Sequence, residues 1–149
     1  MKFRIEVDEN LADDEIVLRC RNLDEDMLEL QRQLTGITKA SGALEVYRGE
    51  ADYYLKFSEI IFLETDGGIV VVHTKDQIFQ TKQKLYELEE QLPLSFFRVS
   101  KSTILNTREI RCIHKNITGA SEIEFSGSSK RTYVSRNYYK PLMEKMRQQ

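Results

Sequence analysis

At the start of the chain the apolar positions change period. Phe3, Ile5 and Val7 alternate with charged residues, and Ile16, Leu18 and Cys20 repeat the alternation after a polar turn. Successive side chains of a strand face opposite ways, so this is the pattern of two half-buried strands. Met27, Leu30, Leu34 and Ile37 then fall on one helical face, with Asn22 as the cap, Glu25 three positions later, and Gly36 and Ser41-Gly42 ending the helix. The pattern predicts a strand-strand-helix unit over residues 1–44. Its apolar stripe either packs on the unit's own sheet or offers a dimerisation or docking surface, because two strands and one helix bury little by themselves.

From Glu45 onward, short β-branched and aromatic runs dominate. They are Val46-Tyr47, Tyr53 to Leu55, Ile60 to Leu63, Ile69 to Val72, Ile78-Phe79, Arg98 to Leu105, Ile110 to Ile113, Ile123 to Phe125 and Thr132 to Val134. Turn formers such as Asp66-Gly67-Gly68, Thr118-Gly119 and Ser126-Gly127-Ser128-Ser129 separate them. One helix interrupts the strands, with Leu85, Leu88 and Leu92 on one face and Pro93 as its stop. A last amphipathic stretch follows Arg136, where Pro141 is tolerable in a first helical turn. The expected fold is mainly β with one clear central helix.

Composition narrows the class. The 149 residues can bury a core without disulfides or a structural metal. The two cysteines, Cys20 and Cys112, show no Cys-x-x-Cys spacing and read as reduced thiols. The acidic start is unlike a signal peptide and no apolar run is long enough to span a bilayer, so a cytoplasmic protein is expected. The net charge of −2 hides a gradient. Residues 1–50 carry 7 basic and 12 acidic side chains and residues 51–100 carry 5 and 8, whereas residues 101–149 carry 10 and 4. The basic last third is either a face for a polyanion or a merely solvated segment.

Enzyme signatures are absent from the sequence. His73 and His114 have no Cys, Asp or His at ligand or nucleophile spacing and read as surface or half-buried structural histidines. Gly67-Gly68 lies between strands and lacks the strand-to-helix setting of a phosphate cradle. Glu87, Glu89 and Glu90 sit on a solvated helix face. No cofactor, metal or small-molecule substrate is expected. More informative is the stretch 96–110, which sets Arg98, Ser100, Lys101, Ser102 and Asn106 around a short apolar run; these are phosphate-contacting side-chain types. Lys130-Arg131 and Ser135-Arg136-Asn137 form a second such cluster. Ser135 could simply cap the last helix. Arg136 beside it would stand in the first turn, where the helix dipole favours anions, so an external anion suits it.

Three linked segments, YYLKFSEIIFLETDGGIVVVHT, KLYELEEQLPLSFFRVSKSTILNTREIRCI and RTYVSRNYYKPL, resemble the LytTR family of DNA-binding domains. The matching features are a helix ending in Leu92-Pro93, the Phe96-Phe97-Arg98 strand with Ser102, Asn106 with Ile110, and the Ser135-Arg136 step. The likeness runs from about Tyr47 to the end. It implies an elongated arrangement of short antiparallel sheets over residues 45–149 that inserts loops into successive major grooves of duplex DNA, without a recognition helix. It places base contacts on Lys101, flanked by Ser100 and Ser102, and on Arg136. At the family's third contact this chain has only Thr65-Asp66-Gly67-Gly68, with no basic residue.

The resulting expectation is a non-enzymatic transcriptional regulator that binds promoter direct repeats as a homodimer. The roughly 45 residues ahead of the module are too few for a phosphorylation receiver domain, so they would dimerise the protein or dock a partner, such as a small membrane-protein regulator. The alternative is a protein-interaction module on the same scaffold that does not bind DNA.

Overall fold

The computed structural model describes residues 1–40 and 42–148, apart from the side chains of residues 36–40. Helix α1 (Glu25–Ala40) is followed by β1 (Ala43–Arg48), β2 (Ala51–Lys56), β3 (Phe62–Asp66), β4 (Ile69–His73) and β5 (Ile78–Thr81). Helix α2 (Leu85–Gln91) leads into β6 (Phe96–Ser100), β7 (Thr103–Asn106), β8 (Ile110–His114), β9 (Ser121–Phe125) and β10 (Arg131–Val134), and α3 (Arg136–Arg147) closes the chain. The described fold is mostly β, as the sequence predicts.

Seven strands form one antiparallel sheet in the order β2-β1-β5-β4-β3-β7-β6, and β10-β9-β8 form a second. Strands β3 and β7 of the large sheet are covered on both faces. On one face Leu63 and Ile104 join Leu44, Val70, Val72 and Phe79 beneath Leu85, Leu88 and Leu92 of the α2 segment. On the other, Phe62 and Leu105 join Ile123, Phe125 and Val134 of the small sheet and Leu142 of α3. Two-sided burial is why Ile60 to Leu63 reads as an unbroken apolar run instead of an alternating one. Each such side chain contributes about 1.5–3 kcal/mol relative to exposure, so the two layers together hold the sheets in place.

Four local expectations are corrected. Residues 1–24 form no strand, and Phe3, Ile5, Val7, Ile16 and Leu18 are all exposed; the alternation is present, but no neighbouring strand supplies a ladder for it. The cap of α1 is Asp24, whose Oδ1 accepts the Met27 amide at 3.0 Å, and not Asn22. The helix runs past Gly36 to Ala40, while Ser41 and the side chain of Ile37 lie outside the described residues. Pro141 is the sixth residue of α3 rather than part of its first turn, so the Asn137 carbonyl loses the amide that would have bonded to it. In addition, the run from Arg98 to Leu105 divides into β6 and β7 about a turn at Lys101-Ser102. No helix among the described residues is long and apolar enough to cross a membrane.

Candidate nucleic-acid interface

The β6–β7 hairpin closes with Ser100 opposite Thr103, which leaves Lys101 and Ser102 as a two-residue turn, and the ladder is irregular between Arg98 and Ser100. Arg98 fills the space under this turn. Its Nε donates to the Ser100 carbonyl at 2.7 Å, Nη2 donates to the Lys101 carbonyl, and Nη1 donates to Glu89 on α2. The Ser100 hydroxyl accepts the Ser102 amide at 3.2 Å. With its backbone held from inside, Lys101 is exposed, and among the described residues its ammonium has no ion pair.

The second cluster is joined to the first. The Ser135 amide donates to the Val99 carbonyl at 2.9 Å, which fixes the β10–α3 junction beside β6. Ser135 has extended backbone angles, and its side chain makes no capping hydrogen bond, so the expected side-chain cap is not formed. Arg136 and Asn137 follow it as exposed residues of the first helical turn. They line a cleft with Ala120, and the wider groove continues along Lys115, Lys140 and Arg147. The turn between β3 and β4 is close by, since the Thr65 amide donates to the Ser102 carbonyl at 2.8 Å. That turn carries Gly67 and Gly68 at φ of +60° and +83°, a two-residue hairpin turn that matches the twist of its strands.

The remaining predicted contacts lie elsewhere. Asn106 is 3% exposed, donates from Nδ2 to the Ile60 carbonyl at 3.2 Å and accepts the Arg108 amide. It holds the strand ends together and faces no solvent. The Lys130 ammonium turns inward, donating to the Gln77 carbonyl and lying 3.3 Å from His73 Nδ1. Arg131 pairs with Glu122 and Glu124 on the outer face of the small sheet. The structure thus leaves Lys101, Arg136 and Asn137 outward with Ser100 and Ser102 beside them, and commits Arg98, Asn106, Lys130 and Arg131 to internal partners. Lys115, Lys140 and Arg147 carry no motif; their only signal in the sequence is the positive balance of the last third.

The two histidines sit in different surroundings. His73 is buried, stacks on Phe62 with ring centroids 4.0 Å apart, and sets Nε2 2.9 Å from Glu64. Burial pushes its pKa down and the Lys130 charge adds to this, while the hydrogen bond to Glu64 opposes both. Lys130 accepts protons less readily than a free lysine because it is itself desolvated. His114 does have neighbours of ligand type, contrary to the expectation from spacing, for Cys112 and Glu124 stand beside it. The Glu124 carboxyl is held down at about 2, chiefly by the His114 hydrogen bond and further by Arg131 and Arg111, against the opposing effect of burial.

Residues 50–147 match the family described as LytTr DNA-binding domain. The chain is similar to an uncharacterized HTH-type transcriptional regulator of Staphylococcus aureus (strain NCTC 8325 / PS 47), 27% identical over 146 residues and 98% of both chains. A counterpart from strain MSSA476 is 32% identical over 106 residues, 71% of each chain. Among solved structures, a LytTr DNA-binding domain from Bacillus cereus superposes with a TM-score of 0.65 at 22% identity, over 70% of this chain and 96% of that one. The relatives' names mention a helix-turn-helix, but here five strands separate α2 from α3, and no two described helices are consecutive.

Proposed function

The chain belongs to the LytTr DNA-binding domain family, and from that premise we propose that it is a sequence-specific transcriptional regulator of duplex DNA that reads its site with loops. Its family is a DNA-binding, non-enzymatic one. In this reading the Lys101 turn enters one major groove and Arg136, with Asn137, enters the next. Arg136 supplies the planar fork that reads guanine, whereas Lys101 acts as a point charge among the Ser100 and Ser102 hydroxyls. The observation that carries the reading is the Ser135–Val99 backbone bond, which ties together the two segments that end in the exposed cations Lys101 and Arg136. The Thr65–Gly68 turn, without a basic residue, would contribute shape but no phosphate attraction.

The regulator would act in the cytoplasm as a homodimer on promoter direct repeats, with residues 1–44 dimerising it or docking a small membrane-protein regulator and residues 45–149 binding DNA. The test is selection of bound genomic fragments by the full chain, followed by anisotropy titrations on the recovered duplex. Recovery of a direct repeat, with the logarithm of affinity falling by about one per decade of salt for each phosphate contact, is the expected result. Failure to recover any salt-sensitive site would select the protein-interaction module instead. That second reading draws on the exposed apolar side chains of residues 1–24, such as Phe3, Val7 and Ile16.

A further inference from the structure

The outer face of the small sheet carries a cluster that DNA recognition does not use. Cys112 and His114 are two residues apart on β8 and therefore project to the same side, and Cys112 is paired across the ladder with Glu124 of β9. The Cys112 Sγ lies 3.6 Å from His114 Nε2. His114 Nε2 is hydrogen-bonded to Glu124 Oε2, and one ligand atom from each of the three residues falls within 4.8 Å of the others. The opposite face of the same strands is occupied by Ile113, Ile123 and Phe125, so the cluster stands on a packed backbone.

We propose that Cys112, His114 and Glu124 bind a zinc ion through three protein ligands, leaving a fourth position open to solvent. Thiolate, imidazole and carboxylate are the donors zinc prefers, and the sulfur-to-nitrogen distance is the one its bonding sets. Bonds of about 2.3 Å to sulfur and about 2.0 Å to nitrogen at a tetrahedral angle separate those atoms by about 3.5 Å. The nitrogen-to-oxygen separation has to widen to about 3.3 Å by the same geometry. The exposed ring of His114 has the room to turn outward and provide it.

Glu124 remains available although two arginines touch it. Arg111 donates to Oε1 at 3.1 Å and Arg131 to the same oxygen, whereas the His114 contact is on Oε2. The guanidinium groups therefore orient the carboxylate from its far side, as the partners of metal-binding carboxylates do. Their positive charge weakens the site and keeps it below the affinity of a structural zinc centre. On binding, the Cys112 thiol gives its proton to solvent, and the Nε2 proton that His114 shares with Glu124 is given up as the ring keeps or takes one on Nδ1 from solvent, freeing the Nε2 lone pair for the ion. The ion would tie β8 to β9 across the middle of the small sheet.

The full chain, freed of metal with a chelator that is then removed, is titrated with Zn2+ by calorimetry and with Co2+ by absorption. One ion per chain, a thiolate-to-cobalt charge-transfer band and a zinc-dependent rise in melting temperature are expected. Cys112→Ser should abolish the band, and His114→Gln should weaken zinc by more than about tenfold. Cys20→Ser, at the other thiol, should change neither. Circular dichroism reports whether each variant is folded, and the wild-type titration stands without them. Absence of stoichiometric binding by the wild-type chain overturns the proposal, as does a cobalt band that Cys112→Ser leaves in place.

Discussion

The Ser135 amide and the Val99 carbonyl are joined by a 2.9 Å hydrogen bond that ties the start of α3 to β6. Val99 is two residues before Lys101 and Ser135 is one before Arg136, so a backbone contact sets the spacing of the two outward cations. Backbone bonds are indifferent to side-chain replacement, which permits each cation to be varied without moving the other.

Arg136→Ala is expected to cost about 1–3 kcal/mol on the selected site and little on a scrambled duplex, because a bidentate reader is lost. Lys101→Ala should weaken both duplexes alike and lower the salt slope by about one. Parallel anisotropy titrations on the two duplexes distinguish these outcomes, and an equal loss on both duplexes for Arg136→Ala would remove base reading from Arg136.

Arg98→Ala should destabilise the fold by about 1.5–3 kcal/mol, since it strips donors from the Ser100 and Lys101 carbonyls and from Glu89. Arg98→Lys should recover little of this, because an ammonium cannot span three acceptors in a planar fork. Urea denaturation measures the loss; a variant as stable as the parent would show that Arg98 does not brace the turn.

Stability should fall as pH drops below about 6.5, the ordinary histidine value. His73 has a lowered pKa in the folded chain, so the unfolded chain takes up its proton first and acid favours unfolding until the folded pKa is passed. The slope cannot exceed about 1.4 kcal/mol per pH unit for one group. The charged groups facing it are Glu64 and Lys130, with Asp76 acting on Lys130. His73→Gln should flatten melting curves over this window relative to wild type, and an unchanged pH profile in that variant would assign the effect to another group.

Gly67→Ala should cost about 1–2 kcal/mol, because its φ of +60° is unfavourable for a side chain even though no atom lies within 4 Å of the added Cβ. Gly67→Asn should cost clearly less, as asparagine tolerates this conformation. Thermal melts of the pair provide the comparison, and equal losses would point to a steric cause instead.

Much of the architecture was legible because β-rich runs, turn formers and the Leu85-Leu88-Leu92 stripe all act locally. Other features depend on distant partners. Phe3 to Val7 alternates as a strand does, yet nothing pairs with it. Asp24 and Asn22 are both good caps, and only the register of α1 decides between them. In the candidate interface, motif order singled out Lys101 and Arg136, which the structure leaves exposed, but Asn106 and Lys130 have the residue types of DNA contacts and point inward. Their partners, Ile60 and Gln77, are 46 and 53 residues away, beyond the reach of any local pattern. His114 failed in the opposite direction: Cys112, two residues before it, was in view as a Cys-x-His pair of one strand face, and Glu124 reaches it only through the β8–β9 ladder.

The shared strands have a kinetic consequence. β3 and β7 each give one side chain to either apolar layer, Phe62 with Leu63 and Leu105 with Ile104. Neither layer can open without stripping the other, so these strands should be the last amides to exchange with solvent, at the free energy of global unfolding. The turn that carries Lys101 leads directly into β7. Its orientation is therefore set by what should be the slowest-opening part of the molecule, while residues 1–24, which join no ladder, should exchange early.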